Sequence, residues 1–97
     1  MKVENVIIKR VSDVQSGTSV STGNEWANRD ILLEHEDETG KSYMNAVVDE
    51  SIWQDLNLHK GDRANLTLRI HTKPFKNGFI SNEIRIIASQ NSRLNGK

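Results

Sequence analysis

The sequence predicts a small all-β domain that closes into a barrel and carries one short helix. Residues 3–14 are rich in valine and isoleucine, which favour strands. Residues 63–71 alternate between polar and apolar side chains, as a half-buried strand does. Asn77-Gly78 is a hairpin signal, because both residues tolerate positive φ. Helical spacing of apolar residues occurs in one segment, residues 49–58, so the predicted helix content is low.

The second strand, residues 25–35, begins with a tryptophan among polar residues and ends in an apolar run. Gly23 supplies a turn before it, and Trp26 lies near its start. The polar start suits an exposed surface, whereas the apolar run suits a core. A charged turn with a late glycine, residues 36–41, connects this strand to a third strand over residues 42–48.

Residues 49–58 form the predicted helix. Asp49 or Ser51 can cap its start, and Gly61 lies just past its end. One face of the helix carries three apolar side chains: Ile52, Trp53 and Leu56. A helix of about two turns is unstable alone. We therefore expect it to pack against the barrel, with Trp53 in the core.

The last two strands span residues 63–71 and 79–88. Their predicted inward side chains are Ala64, Leu66, Leu68 and Ile70 in the first strand, and Ile80, Ile84 and Ile86 in the second. Residues 1–89 thus form one domain with the order strand, strand, strand, helix, strand, strand. This is the layout of the OB-fold, a five-stranded Greek-key barrel. We expect a mobile Ser/Thr/Gly loop over residues 15–23 and a flexible tail over residues 90–97.

Composition excludes several classes of protein. Without cysteine, neither a disulfide framework nor a thiolate metal site can form. No apolar run approaches the roughly 20 residues that span a bilayer, and no signal-peptide pattern is present, so we expect a cytoplasmic protein without membrane contact. The net charge is zero, but residues 1–58 hold 11 acidic and 5 basic groups, whereas residues 59–97 hold 2 and 8. One face of the protein can therefore be basic.

No residue pattern supports catalysis, so we expect a non-enzyme that holds no cofactor and no metal. The three histidines, His35, His59 and His71, lack the spacing of metal ligands and are expected at the surface. The acidic residues within 34–38 lack the spaced oxygens of a calcium loop and indicate a solvated turn. Phosphate-binding loops and nucleophile motifs are absent from the sequence.

Two features indicate a binding surface. Trp26 lies near Asn28 and Arg29, so its indole either stacks on a base or folds over the barrel rim. Residues 69–79 interleave cations with aromatic rings and contain no acid. In an OB-fold this stretch is the hairpin between the fourth and fifth strands, which commonly helps to hold a ligand. The alternative is a solvated hairpin with Phe79 in the core.

Several short runs carry a resemblance to known proteins. They are Gln-Ser-Gly-Thr at 15–18, Gly-Asn-Glu-Trp at 23–26, Leu-Glu at 33–34, Val-Val at 47–48, Lys-Gly at 60–61 and Lys-Asn-Gly at 76–78. Over about residues 3–88 the chain resembles the OB-fold single-stranded DNA-binding protein and PriB-like superfamily. It looks closest to a bacterial domain family of unassigned function with the same fold. The resemblance implies a bacterial protein that binds single-stranded DNA without catalysis.

The resemblance also assigns roles by position. It implies that Trp26 is the stacking tryptophan at the start of the second strand. When the Val-Val run is aligned, the second stacking position falls at Met44, beside Tyr43, and the third at Glu50. One of three stacking positions is therefore aromatic in this chain.

The first hypothesis is a non-catalytic OB-fold protein that binds single-stranded DNA, or RNA, as a replication or repair accessory and as a homo-oligomer, either dimer or tetramer. Its predicted nucleic-acid-binding residues are Trp26, Arg29, Lys41, Tyr43, Arg69, His71, Lys73, Phe75 and Lys76. The rings would stack on bases and the cations would contact phosphates. The alternative is a protein-interaction or self-associating OB module that binds no nucleic acid, which the zero net charge and the acidic turn favour.

Overall fold

The computed structural model describes residues 1–89, apart from the side chain of Lys73; the predicted tail, residues 90–97, lies outside the described residues. The elements are β1 Lys2–Val11, β2 Gln15–Thr18, β3 Glu25–Asp37, β4 Gly40–Asp49, α1 Glu50–Leu56, β5 Arg63–Pro74 and β6 Ile80–Ser89. Within this part of the chain, no helix has the length and apolar character needed to cross a lipid bilayer.

Five of the strands form a closed ring. Their order around it is β1, β5, β6, β4 and β3, and β3 pairs again with β1. Neighbouring strands run antiparallel except β4 and β6, which meet at one parallel pair, Val47 opposite Arg85. This ring is the predicted all-β architecture, a five-stranded OB-fold Greek-key barrel with one short helix between its third and fourth strands.

Aliphatic side chains from every strand of the ring fill the barrel. Side chains alternate in direction along a strand, so one face of each strand supplies them. Ile8 and Leu33, for example, lie opposite each other across β1 and β3, and both are fully buried. The other core side chains of the ring are Val6, Ile31, Ala46, Val48, Ala64, Leu66, Leu68 and Ile86.

The helix packs against this core, as predicted. Trp53 and Leu56 are buried and belong to the same cluster as the barrel residues. Asp49 is the N-cap, and its side chain accepts a hydrogen bond from the Ser51 backbone N–H at 3.4 Å. The helix ends earlier than the Gly61 signal suggested, because Asn57 adopts the left-handed conformation with a φ of 55°.

Residues 15–18 form a strand, which corrects the prediction of a loop over residues 15–23. β2 lies outside the ring and pairs only with the start of β3, Gln15 opposite Asn28 and Thr18 opposite Glu25. Main-chain hydrogen bonds hold such a hairpin without burying many apolar side chains. Its Ser/Thr/Gly composition therefore gave no apolar pattern from which a strand could be predicted.

β5 and β6 continue past the barrel as a two-stranded projection, residues 69–84, here called the β5–β6 arm. β1 pairs with β5 only as far as Thr67, and Met1 bonds to Leu68 beyond it. β5 extends to Pro74 and pairs with β6 along that whole length. A tight loop closes the arm, with the Phe75 N–H donating to the Phe79 carbonyl at 2.7 Å.

Two side chains that were predicted to point into the barrel are exposed. Ile70 is 51% exposed and Ile80 is 62% exposed. Both follow the inward alternation of their strands, but they lie on the arm, where no barrel stands behind them. Phe79, near the tip, is 70% exposed, so it does not enter the core. One face of the arm therefore carries exposed apolar side chains at Ile70 and Ile80, on either side of the Thr72–Asn82 pair, and no described residue covers them; this is called the apolar face of the arm.

Candidate nucleic-acid interface

Trp26 lies on the β2–β3 hairpin, directly opposite Gly17. A Cβ added at Gly17 would lie 2.7 Å from Cζ2 of the Trp26 ring and 3.0 Å from Cε2. Only glycine leaves room for this contact, so the indole rests against the Gly17 backbone. Trp26 is nonetheless 45% exposed. The ring is thus supported on one side and open to solvent on another, as a stacking platform requires.

The indole lines a cleft of about 770 Å³ between the β2–β3 hairpin and the barrel wall. Other lining residues come from four strands, β2, β3, β4 and β6: Thr18, Glu25, Asn28, Asp49 and Arg85. The pairing register of the strands explains why these residues lie close together. Asn28 lies opposite Asp49 across β3 and β4, and Arg85 lies opposite Val47 across the parallel β4–β6 pair. Alternation then places Trp26, Asn28, Asp49 and Arg85 on one outer face of the barrel.

Arg85 was not among the predicted binding residues. In the sequence it lies between Ile84 and Ile86, within an inward-facing aliphatic run, and no local signal marks it as part of a site. Its Nη1 donates to Glu83 at 2.7 Å, and the two side chains are partly exposed. Arg69 lies directly opposite it on β5. Two guanidinium-bearing residues are therefore neighbours at the base of the arm, beside the Trp26 cleft.

Arg29 lies elsewhere and has a structural contact. Its Nε donates to Glu50 at 2.6 Å, its Nη2 donates to the other Glu50 oxygen at 3.1 Å, and its Nη1 donates to the Ser12 carbonyl at 3.0 Å. The hydrogen bond raises the pKa of Arg29 above its ordinary value. The same bond, assisted by Gln54, lowers the pKa of Glu50. The pair ties β3 to the start of α1.

Tyr43 and Lys41 lie on the outer face of β3 and β4, but at its far end. Tyr43 is 56% exposed and lies opposite Glu34, eight residues along β3 from Trp26. At about 3.4 Å per residue the two rings are separated by about 27 Å along the strand. Lys41 lies opposite Glu36, nearer still to the acidic turn. Met44, at the position that the resemblance assigns to a second stacking ring, packs against the core instead.

The remaining predicted residues belong to the arm and its tip. Arg69 and His71 lie on its outer face, where His71 is opposite Glu83. Phe75 is 55% exposed, and Lys76 is exposed in the loop at the tip. The side chain of Lys73 lies outside the described part of the structure. The structure thus brings the base of the arm to the Trp26 cleft and holds the aromatic tip away from the barrel.

The cleft itself is not basic. Glu25 and Asp49 line it, and Glu83 neutralises part of the charge on Arg85. Among residues 1–89, no group of three or more His, Asp or Glu side chains is placed to hold a metal ion. The geometry suits stacking and hydrogen bonding of a planar ligand, with cations to one side of it.

Comparison with protein-family models finds none that matches this chain, and comparison with curated proteins finds no matching relative.

Proposed function

We propose that this protein binds single-stranded nucleic acid, DNA or RNA, without catalysis. The supporting observation is the indole of Trp26, held on Gly17 and open to the cleft between the β2–β3 hairpin and the barrel wall. Stacking of a base on such a ring contributes about 1–3 kcal/mol. Arg85 lines the cleft, and Arg69, opposite it on β5, lies beside the cleft where the phosphates that flank a stacked base would run. Phe75 and Lys76 extend this surface at the tip of the arm.

The resemblance to OB-fold single-stranded DNA-binding proteins supports the same proposal. It places Trp26 at the stacking position, and the structure gives that residue an exposed, supported ring. On this basis we propose a bacterial, cytoplasmic accessory of replication or repair in that superfamily. The single described stacking ring at the cleft argues for modest affinity rather than tight coating of long strands.

The test is a titration of a fluorescently labelled, mixed-sequence oligonucleotide of about ten nucleotides at low ionic strength, followed by anisotropy. The Trp26→Ala variant is expected to bind at least about fivefold more weakly, the lower limit for one lost stacking contact. Val20→Ala is the matched control, because Val20 is fully exposed at the turn of the same hairpin. Undetectable binding by the unmodified protein, or equal binding by Trp26→Ala, would refute the proposal.

The apolar face of the arm favours a second candidate, a self-associating module. Ile70 and Ile80 are each more than half exposed on one face of the arm, where Pro74 lies opposite Ile80, and Phe75 and Phe79 are more than half exposed at its tip. Exposed apolar groups that cluster in this way commonly mark an interaction surface. Face-to-face packing of two arms would bury this face and leave Arg69 and His71 outward on both copies. We propose a dimer as the simplest product of this contact.

Sedimentation velocity over a range of protein concentrations separates the two candidates. Self-association through the arm predicts a dimer that Ile80→Lys dissociates and that Ile87→Lys, an exposed isoleucine of β6 beyond the arm, leaves intact. A monomer at every concentration would remove this candidate without touching the first. A dimer that both variants retain would place the contact on another surface.

A further inference from the structure

Three side chains of the Trp26 cleft have hydrogen-bonding groups without a partner among the described residues. Asp49 accepts one bond, from the Ser51 N–H at 3.4 Å, and its second carboxylate oxygen accepts none. The side-chain amide of Asn28, which lies directly opposite Asp49, makes no hydrogen bond to another described residue. The Nη1 of Arg85 donates to Glu83, and the Nε and Nη2 groups of its guanidinium make no hydrogen bond to another described residue. The cleft therefore presents an acceptor, an amide and a donor beside one aromatic ring.

The backbone positions of Asp49 and Arg85 are close enough for both side chains to reach one base. Arg85 lies opposite Val47, and Asp49 follows Val47 by two residues on the same face of β4. Two residues along a strand are about 7 Å apart and neighbouring strands are about 5 Å apart, so the two backbone positions are about 8–9 Å apart. A base stacked on the indole would thus have Asp49 and Arg85 at different parts of its edge.

The bases of DNA and RNA differ in what they offer to Asp49 and Arg85. Guanine has acceptors at O6 and N7 for an arginine fork, and donors at N1 and N2 for a carboxylate. Thymine and uracil have one N–H donor between two carbonyl oxygens, which face a carboxylate unfavourably. Cytosine and adenine have an amino group but no ring N–H donor beside it, so neither offers a carboxylate two adjacent donors. Guanine is the base that engages both Asp49 and Arg85.

We propose that the Trp26 cleft is a guanine-preferring pocket within the single-stranded nucleic-acid site. Trp26 stacks on the base, Asp49 accepts from its N1 and N2 groups, and Arg85 donates to its O6 and N7 atoms. The carboxylates of Glu25 and Asp49 keep phosphates out of the cleft and direct the backbone toward Arg69. This inference rests on the proposed function, since it names the preferred ligand of the same site.

The test compares four oligonucleotides of about nine nucleotides: oligothymidine, and oligothymidine with a central guanine, hypoxanthine or adenine. The guanine oligomer is expected to bind about tenfold more tightly than oligothymidine, the discrimination of one good bidentate contact. Hypoxanthine lacks the N2 amino group, so its oligomer should lose part of this gain. A single substituted base keeps the strand from forming structures of its own.

Asp49→Asn isolates the carboxylate. Asparagine caps a helix as well as aspartate does, so α1 and its melting temperature should be retained. The guanine preference is expected to disappear while affinity for oligothymidine is kept or slightly raised. Asp55→Asn is the matched control, because it removes the same charge from the exposed surface of the same helix. Arg85→Lys, which keeps the charge but not the fork, should also reduce the preference.

The outcomes separate this inference from the proposed function. Equal affinity for all four oligonucleotides, with a loss in Trp26→Ala, would refute the guanine pocket and leave nucleic-acid binding in place. A preference that survives in Asp49→Asn would also refute it. Failure to bind any oligonucleotide would refute both, and binding of an oligoarginine peptide in their place would assign the cleft to cationic side chains.

Discussion

Trp26 depends on Gly17, the residue opposite it across the β2–β3 hairpin. Glycine is usually a poor strand residue, because it has no side chain to pack. Here the missing Cβ is what allows the indole to rest on the backbone. The position of the Trp26 ring in the cleft therefore depends on glycine at position 17.

Gly17→Ala is predicted to weaken oligonucleotide binding severalfold without unfolding the protein. The added Cβ would lie 2.7 Å from the ring, so the indole must move. Alanine is otherwise at least as favourable in a strand, so the free energy of unfolding should change by less than about 1 kcal/mol. Anisotropy titration and urea denaturation measure the two effects. Ser21→Ala, in the exposed turn of the same hairpin and outside the cleft lining, should alter neither. Unchanged affinity in Gly17→Ala would contradict the role assigned to the contact.

Glu50 and Arg29 make a different kind of contribution, one that depends on pH. The folded-state pKa of Glu50 lies below its ordinary value of 4.5, mainly because Arg29 donates to it. Near that pH the unfolded chain consequently binds more protons than the folded one, and stability rises with pH. The contribution is fully present above 4.5 and is lost as the pH falls through the folded-state pKa.

Glu50→Gln is predicted to lower the melting temperature at neutral pH. In acid the difference in melting temperature between this variant and the unmodified protein should disappear. Glutamine carries no charge, so the variant lacks the pH-dependent part of the interaction. Thermal denaturation from pH 7 to about pH 3, followed by circular dichroism, should show the two curves converging below pH 4.5. Glu38→Gln, in the exposed β3–β4 turn, serves as the control. Parallel curves for Glu50→Gln and the unmodified protein would contradict the prediction.

At the scale of elements, β6 has two parts with different surroundings. Ile86 lies in the barrel and is 1% exposed, whereas Ile80 lies on the arm and is 62% exposed. The two side chains follow the same alternation along one strand. Their exposure differs because Ile86 packs inside the barrel and Ile80 does not. The same substitution should therefore change the free energy of unfolding by different amounts at the two positions.

Ile86→Ala is predicted to destabilise the protein by about 2–5 kcal/mol, because it leaves a cavity in a closed core. Ile80→Ala should change the free energy of unfolding by less than about 0.5 kcal/mol, as surface substitutions usually do. Urea denaturation monitored by far-UV circular dichroism measures both. A large cost at Ile80 that grows with protein concentration would instead indicate that the arm is buried in a dimer.

At the scale of the molecule, the charges of a neutral chain are separated in space. The acidic excess of residues 1–58 includes the β3–β4 turn, while the outer face of the arm carries Arg69 and His71 with Arg85 at its base. The arm tip adds Lys76. Binding of a polyanion should therefore release counterions locally despite the zero net charge.

About two phosphate contacts, from Arg69 and Lys76, predict a shallow salt dependence. For single strands each contact contributes about 0.7 to the slope of log K against log salt, so the total is about −1.4. Raising salt from about 50 to 200 mM should weaken binding roughly sevenfold. Anisotropy titrations at several salt concentrations give the slope. Arg69→Gln should reduce it by about 0.7, whereas Lys2→Gln, on β1, should not. A slope near zero would contradict phosphate contact by the arm.

The local patterns of the sequence determined most of the barrel. Alternation over residues 63–71, the apolar run of the second strand and the capped amphipathic helix each predict an element from nearest neighbours alone. Trp53 was placed in the core from its helical face, and Trp26 at the surface from its polar neighbours. These inferences succeed because a strand or helix that buries one face has apolar residues at a regular spacing, about every second residue or every 3.6 residues, within its own sequence.

Closure and pairing, by contrast, were decided by the tertiary structure. β2 has no apolar signal, and it forms because β3 offers it an edge with which to pair. Arg85 reaches the Trp26 cleft through the parallel contact of β4 with β6, and Arg29 is held by Glu50 at the start of α1. Ile70 and Ile80 are exposed because β5 and β6 extend beyond the other strands of the barrel. Each outcome depends on what lies beside a residue in space, which no local periodicity encodes.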